Sequence, residues 1–235
     1  MRQAKKIHVV CEGKSDRAYL VELQRFLEQD IPSDPAGDNL QPIVFVPRPD
    51  SEGVGGGYYD RLVPVYEAEC KDLDADYAEP ETVCFRPDLL IWADSDVYIQ
   101  NTPRGQSFTG TDYLNRPPHI PTFYFSYHKF EDFVAWHLDD ETFAKWKQTF
   151  AGNGHITVPL YNGPYMLDYQ TVFPNYTKSY LPRGLITVEH IANLKRHIAD
   201  PVVQGMKSLW QPGISFAEFL VETLSDSFPW IQEWQ

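Results

Sequence analysis

The segment Lys6-Ile-His-Val-Val-Cys-Glu-Gly-Lys-Ser-Asp16 constrains the fold more than any other part of the chain. Ile7, Val9 and Val10 are β-branched, as strands favour, and Gly13 punctuates the run. Tyr19, Leu20, Leu23, Phe26 and Leu27 then recur at helical spacing, with Ser15 or Asp16 available to cap the helix start. Strand, turn and helix in that order predict an α/β unit with Glu12 at the C-terminal end of a buried strand. In open α/β sheets that rim is where ligands bind. An ordinary turn whose acid faces solvent fits the same residues. A phosphate-binding loop does not. Gly13-Lys14-Ser15 would need a glycine where His8 stands, and a flexible loop where Val9, Val10 and Cys11 continue a strand.

Ile43 to Val46 predicts a second buried strand, followed on the same rim by the glycine-rich stretch Pro47 to Gly57. Tyr58 to Leu73 reads as a helix interrupted by Pro64. Asp88 to Asp96 predicts a third strand ending in Asp94-x-Asp96, whose carboxylates sit on alternate positions and so point the same way. Carboxylates this close repel unless a cation or a proton joins them. Hard ions such as Mg²⁺ are held by one or two carboxylates with waters and phosphate oxygens. A turn leaving the strand is the plain structural alternative. After a long loop, Val97 to Pro121, the run Thr122 to Ser126 predicts a fourth strand. Tyr127 to Leu138 then predicts a helix with Phe130, Phe133, Val134 and Leu138 as its buried stripe, which leaves Glu131 off that stripe in the first turn. If the sheet is parallel, Glu12, Asp94, Asp96 and Glu131 share one rim. That arrangement suits metal-assisted phosphoryl chemistry.

Composition narrows the class. The 235 residues are 43% hydrophobic and 14% aromatic, enough for a sizeable core. No run approaches the roughly 18 apolar residues of a membrane span, and no signal-peptide pattern opens the chain, so no membrane partner is expected. Cys11, Cys70 and Cys84 have unequal spacing and no Cys-x-x-Cys, which fits a reducing cytoplasm better than a disulfide scaffold. A net charge of −13 argues against charge-driven coating of nucleic acid. It leaves room for an enzyme whose bound divalent ions invert the local electrostatics. Lys178, Arg183, Lys195, Arg196 and His197 gather in the C-terminal third, where Val188 to Ile198 and Phe216 to Leu224 read as helices. The expected fold is α/β, a Rossmann-like, mostly parallel sheet of about four strands flanked by helices. Residues 1–140 are expected to form the catalytic unit, with a mainly helical extension over 141–235.

An apolar strand ending Cys-Glu-Gly, a following helix, and Asp-x-Asp after a later apolar strand resemble the TOPRIM domain of topoisomerases, primases and OLD-type nucleases. The run Phe130-Glu-Asp-Phe-x-x-Trp-His137 narrows the resemblance to RloB-like proteins. It covers Lys5 to Leu138, with a fainter echo around Tyr176 to Lys178. Ser15-Asp16 stands where the family places an acid after the glycine, and the Val97 to Pro121 loop departs from the pattern. The resemblance implies a metal-dependent endonuclease acting on DNA or RNA, in a prokaryotic phage-defence or restriction-linked locus. Glu12 would be the general acid/base. Asp94 and Asp96 would hold Mg²⁺ or Mn²⁺, with Glu12 and Glu131 as further ligands. Lys14 would neutralise a phosphate, and Lys178, Arg183, Lys195 and Arg196 would line the nucleic-acid path. The competing expectations are a non-catalytic nucleic-acid-binding or regulatory subunit acting with a partner ATPase or restriction-system protein, and a nucleotidyl transferase using the same acids. No ATPase motif occurs in the chain itself.

Overall fold

The computed structural model describes residues 5–35, 43–48, 59–73, 88–95, 123–127, 129–151, 165–175, 186–207 and 214–234. Five strands, β1 (Lys5–Cys11), β2 (Ile43–Arg48), β3 (Leu89–Asp94), β4 (Phe123–Ser126) and β5 (Ile214–Ser215), form one parallel sheet in the order β2-β1-β3-β4-β5. Val9, Val10 and Cys11 in β1 and Leu89 to Ala93 in β3 are buried without alternation. Such runs belong to strands covered on both faces. The expected α/β architecture is therefore observed. The fifth strand is an addition: at two residues it carries no periodic signal, and it comes from the C-terminal third.

Register decides which helix covers which face. Cys11 pairs with Trp92 and Val10 with Arg48, so Trp92 and Arg48 lie on opposite faces of the sheet. On the Trp92 side sit α1 (Lys14–Gln29), α3 (Phe130–Ala135) and α8 (Phe216–Ser227). Tyr19 meets the Trp92 ring edge-on at 5.6 Å, Phe133 does so at 5.3 Å, and Phe216 stacks on it at 3.8 Å. On the other side is α2 (Tyr59–Leu73), whose Glu69 pairs with Arg48 at 3.5 Å. Tyr19, Leu20, Leu23, Phe26 and Leu27 are all buried, as their spacing predicts.

The C-terminal third is helical: α4 (Asp140–Trp146) running into a π-helical turn (Lys147–Ala151), α5 (Tyr165–Val172), α6 (Val188–Ile198) and α7 (Pro201–Lys207), then β5 and α8. A closing 3-10 turn (Gln232–Trp234) brings the buried Trp234 against Phe26 of α1 at 6.3 Å. The same indole donates to Val188 O at 3.0 Å.

Cysteine pairing departs from expectation. Cys11 is a buried free thiol, but the buried Cys70 on α2 is disulfide-bonded to a partner outside the described residues. Spacing along a chain does not reveal which thiols fold together, and cysteine usage no longer points to a reducing compartment. Among the described residues no helix is long and apolar enough to cross a membrane.

Candidate active site

Glu12 leaves β1 where the strand ends and is stitched to β3 twice. Its N–H donates to Trp92 O at 3.2 Å, and its Oε2 accepts the Asp94 N–H at 2.9 Å. An amide given to a carboxylate is one of the stronger hydrogen bonds, worth about 1.5–3 kcal/mol. The Glu12 carboxylate is therefore oriented by the sheet and not by solvent.

The helix that follows starts earlier than the sequence suggests. Gly13 is the N-cap, Lys14 opens α1, and Asp16 is the third helical residue. Asp16 reaches back, its Oδ2 accepting the Gly13 N–H at 2.8 Å. A carboxylate one turn inside a helix is well placed for that amide, which is why Asp16 caps from within instead of standing at the N-cap. The residue is 6% exposed. Burial first, then the Glu12 carboxylate, hold its carboxyl well above the usual range; the Gly13 bond opposes this, and Glu131 adds to it.

The same device recurs at α3. Lys129 is the N-cap, and its N–H donates to Oδ2 of the buried Asp132 at 3.1 Å. Oδ1 of Asp132 accepts the Trp146 indole N–H at 2.7 Å, which ties the start of α3 to the end of α4. Glu131 sits between, half-buried in the first turn. The second turn of α1 packs on α3 through Tyr19, 6.3 Å from Phe130 and 4.9 Å from Phe133. The two helix starts thus flank the ends of β1 and β3.

The structure therefore brings Glu12, Asp94 and Glu131 to one rim and adds Asp16, which the sequence offered as a cap and, by the resemblance, as the acid that follows the glycine. Lys14 lies exposed beside them. Asp96, Lys178 and Arg183 lie outside the described residues, as does the Val97 to Pro121 loop. Lys195 and Arg196 sit in the last turn of α6: Lys195 Nζ donates to Trp234 O at 2.8 Å, and Arg196 Nη2 donates to Asp140 Oδ1 at 2.7 Å. Oxygen donors from carboxylates suit a hard divalent ion. Among the described residues no three His, Cys, Asp or Glu side chains already stand where they could hold an ion together.

His137 is fully enclosed: Tyr19 Oη lies 2.8 Å from its Nε2 and Phe133 O lies 2.9 Å from its Nδ1. Asp132 escaped notice in the sequence because its partners, a backbone amide and an indole on another helix, are set by tertiary packing. No protein-family model matches the chain, and no curated protein or solved structure shows significant similarity to it.

Proposed function

We propose that the chain is a divalent-metal-dependent nuclease of the TOPRIM, RloB-like kind, hydrolysing phosphodiester bonds of DNA or RNA. One observation carries this reading: acids from β1, β3, α1 and α3 gather at the C-terminal rim of a parallel sheet, with Glu12 fixed by the Asp94 amide. A fold spends stability in gathering like charges, and function is a common reason for it. Glu12, Asp94 and Glu131, with Asp96, would hold Mg²⁺ or Mn²⁺. Such an ion, when bound, stabilises phosphoryl charge and makes a bound water a better nucleophile. Glu12, oriented through one oxygen, moves a proton at the attacking or leaving oxygen. Lys14, exposed on the first turn of α1, neutralises a phosphate oxygen. The phage-defence setting comes into the proposal from the resemblance alone, and a partner ATPase belongs to the competing reading, a regulatory subunit.

Glu12→Gln tests it. The amide oxygen still accepts the Asp94 N–H, so the fold survives, but the titratable group is gone. General acid–base catalysis contributes about 100- to 10,000-fold, and single-turnover cleavage of plasmid, single-stranded DNA or RNA in Mg²⁺ or Mn²⁺ is expected to fall by that range. Cleavage at the wild-type rate removes Glu12 from the mechanism. Absence of cleavage by the wild-type protein on every substrate overturns the nuclease reading.

A further inference from the structure

We infer that Asp16 is a positioning residue for Glu12: by accepting the Gly13 N–H it fixes the backbone on the helix side of Glu12, as β3 fixes it on the strand side. This role rests on the nuclease reading and adds a residue to its site. The backbone of Glu12 has two soft dihedrals, and each is restrained from a different element. The Glu12 N–H donates to Trp92 O at 3.2 Å, which ties the peptide before it to β3. The next N–H, that of Gly13, donates to Asp16 Oδ2 at 2.8 Å, which ties the peptide after it to α1. Between these anchors the Glu12 side chain reaches the Asp94 amide through Oε2 at 2.9 Å.

The glycine makes the second anchor necessary. Gly13 stands at φ −132° and ψ 177°, extended backbone that any residue adopts, and it has no side chain to cap the helix. A glycine left unbonded samples far more backbone conformations than other residues do. The other tie between Gly13 and the first turn of α1 is longer, the Arg17 N–H donating to Gly13 O at 3.3 Å. Helices further from the rim start differently: Asp139, Thr187 and Ser215 cap α4, α6 and α8 with their own side chains from the N-cap position. Asp16 is instead 6% exposed, and among the described residues its side chain makes one hydrogen bond, the one to Gly13. Burying an acid for a single amide costs free energy, and what that amide adjoins is Glu12.

Single-turnover cleavage by the wild type, Asp16→Ala, Asp16→Asn and Asp139→Ala would be followed across nucleic-acid and Mg²⁺ or Mn²⁺ concentrations, below the melting transition of each protein. Asp16→Ala is expected to lower the saturating rate by about 10- to 100-fold, the scale of a slightly misplaced reacting group, with the half-saturating nucleic-acid concentration unchanged. Asp16→Asn keeps an oxygen that accepts the Gly13 N–H and is expected to recover most of the rate. Hydrogen exchange at the Gly13 amide is expected to lose its protection in Asp16→Ala and to keep it in Asp16→Asn. Asp139→Ala removes the cap of α4, a bond of 2.8 Å to the Thr142 N–H, and is expected to lower stability without lowering the rate. Asp16→Asn decides the matter even if the alanine variant fails to fold. If the asparagine variant is slowed by that same factor, Asp16 does not act through the Gly13 bond and the inference falls; if it also needs more metal, Asp16 is an ion ligand and the nuclease reading stands. A wild-type rate in Asp16→Ala, or an equal loss in Asp139→Ala, overturns the inference as well. If the wild type cleaves no substrate, both fall.

Discussion

The rim acids and His137 show how burial sets chemistry residue by residue. Glu12 is bonded before any ligand arrives, whereas Asp16 keeps its place against burial and against the charge of Glu12. His137 faces the opposite problem. Phe133 O can only accept, so Nδ1 carries the proton and Nε2 receives the Tyr19 hydroxyl, a neutral ring satisfied on both sides. Burial, partly offset by the Phe133 bond, lowers its pKa from 6.5 to about 3. The sign follows. Above the unfolded pKa the ring is neutral in both states; as pH falls below it, only the unfolded chain takes up the proton. Stability is therefore lost as pH drops from the unfolded pKa toward the folded one, at up to about 1.4 kcal/mol per pH unit. Urea melts at about pH 7 and about pH 4.5 are expected to show that loss in the wild type and a shallower one in His137→Gln. Equal losses in the two proteins would assign the acid sensitivity to other groups.

At the scale of elements, α3 is the informative departure. The apolar stripe predicts a helix from Tyr127 to Leu138, yet only Phe130–Ala135 is helical. The reason lies in another element. His197 Nδ1 lies 2.8 Å from Trp136 O, and Asn193 Nδ2 donates to His137 O at 3.2 Å. Carbonyls taken by α6 are carbonyls that need no further turn of helix. At its other end α3 is held through Asp132 by the indole of the buried Trp146. Trp146→Phe keeps a buried six-membered ring but deletes the donor to a buried carboxylate oxygen and part of the indole volume, so it is expected to cost at least about 1–3 kcal/mol in denaturant melts. A cost below about 0.5 kcal/mol, the scale of an ordinary surface change, would show that this bond does not hold α3 in place.

Across the whole molecule, the C-terminal third is part of the sheet's own core. Its β5 pairs with β4, Phe216 stacks on Trp92 at 3.8 Å, and Phe219 meets Tyr124 at 4.7 Å. Phe216 is fully buried, and a buried Phe→Ala change costs about 3–5 kcal/mol. Phe216→Ala is expected to impose that cost on the same transition that exposes the β1 amides to hydrogen exchange. A cost confined to a separate C-terminal transition would mean that the 1–140 and 141–235 segments unfold as independent units.

What the sequence by itself determined is whatever depends on near neighbours. Continuous apolar runs marked β1 to β4, the 3.6-residue stripe marked α1, and an acid after an apolar run marked Glu12 and Asp94 as strand-end residues. Periodicity records that an element is buried but not what buries it. Only the tertiary structure decided that Glu12 bonds an amide 82 residues away, that Asp16 turns inward among like charges, that Cys70 is paired, and that a two-residue strand completes the sheet. Each of these depends on strand register and helix packing, where side chains distant in sequence compete for the same buried space and the same hydrogen bonds.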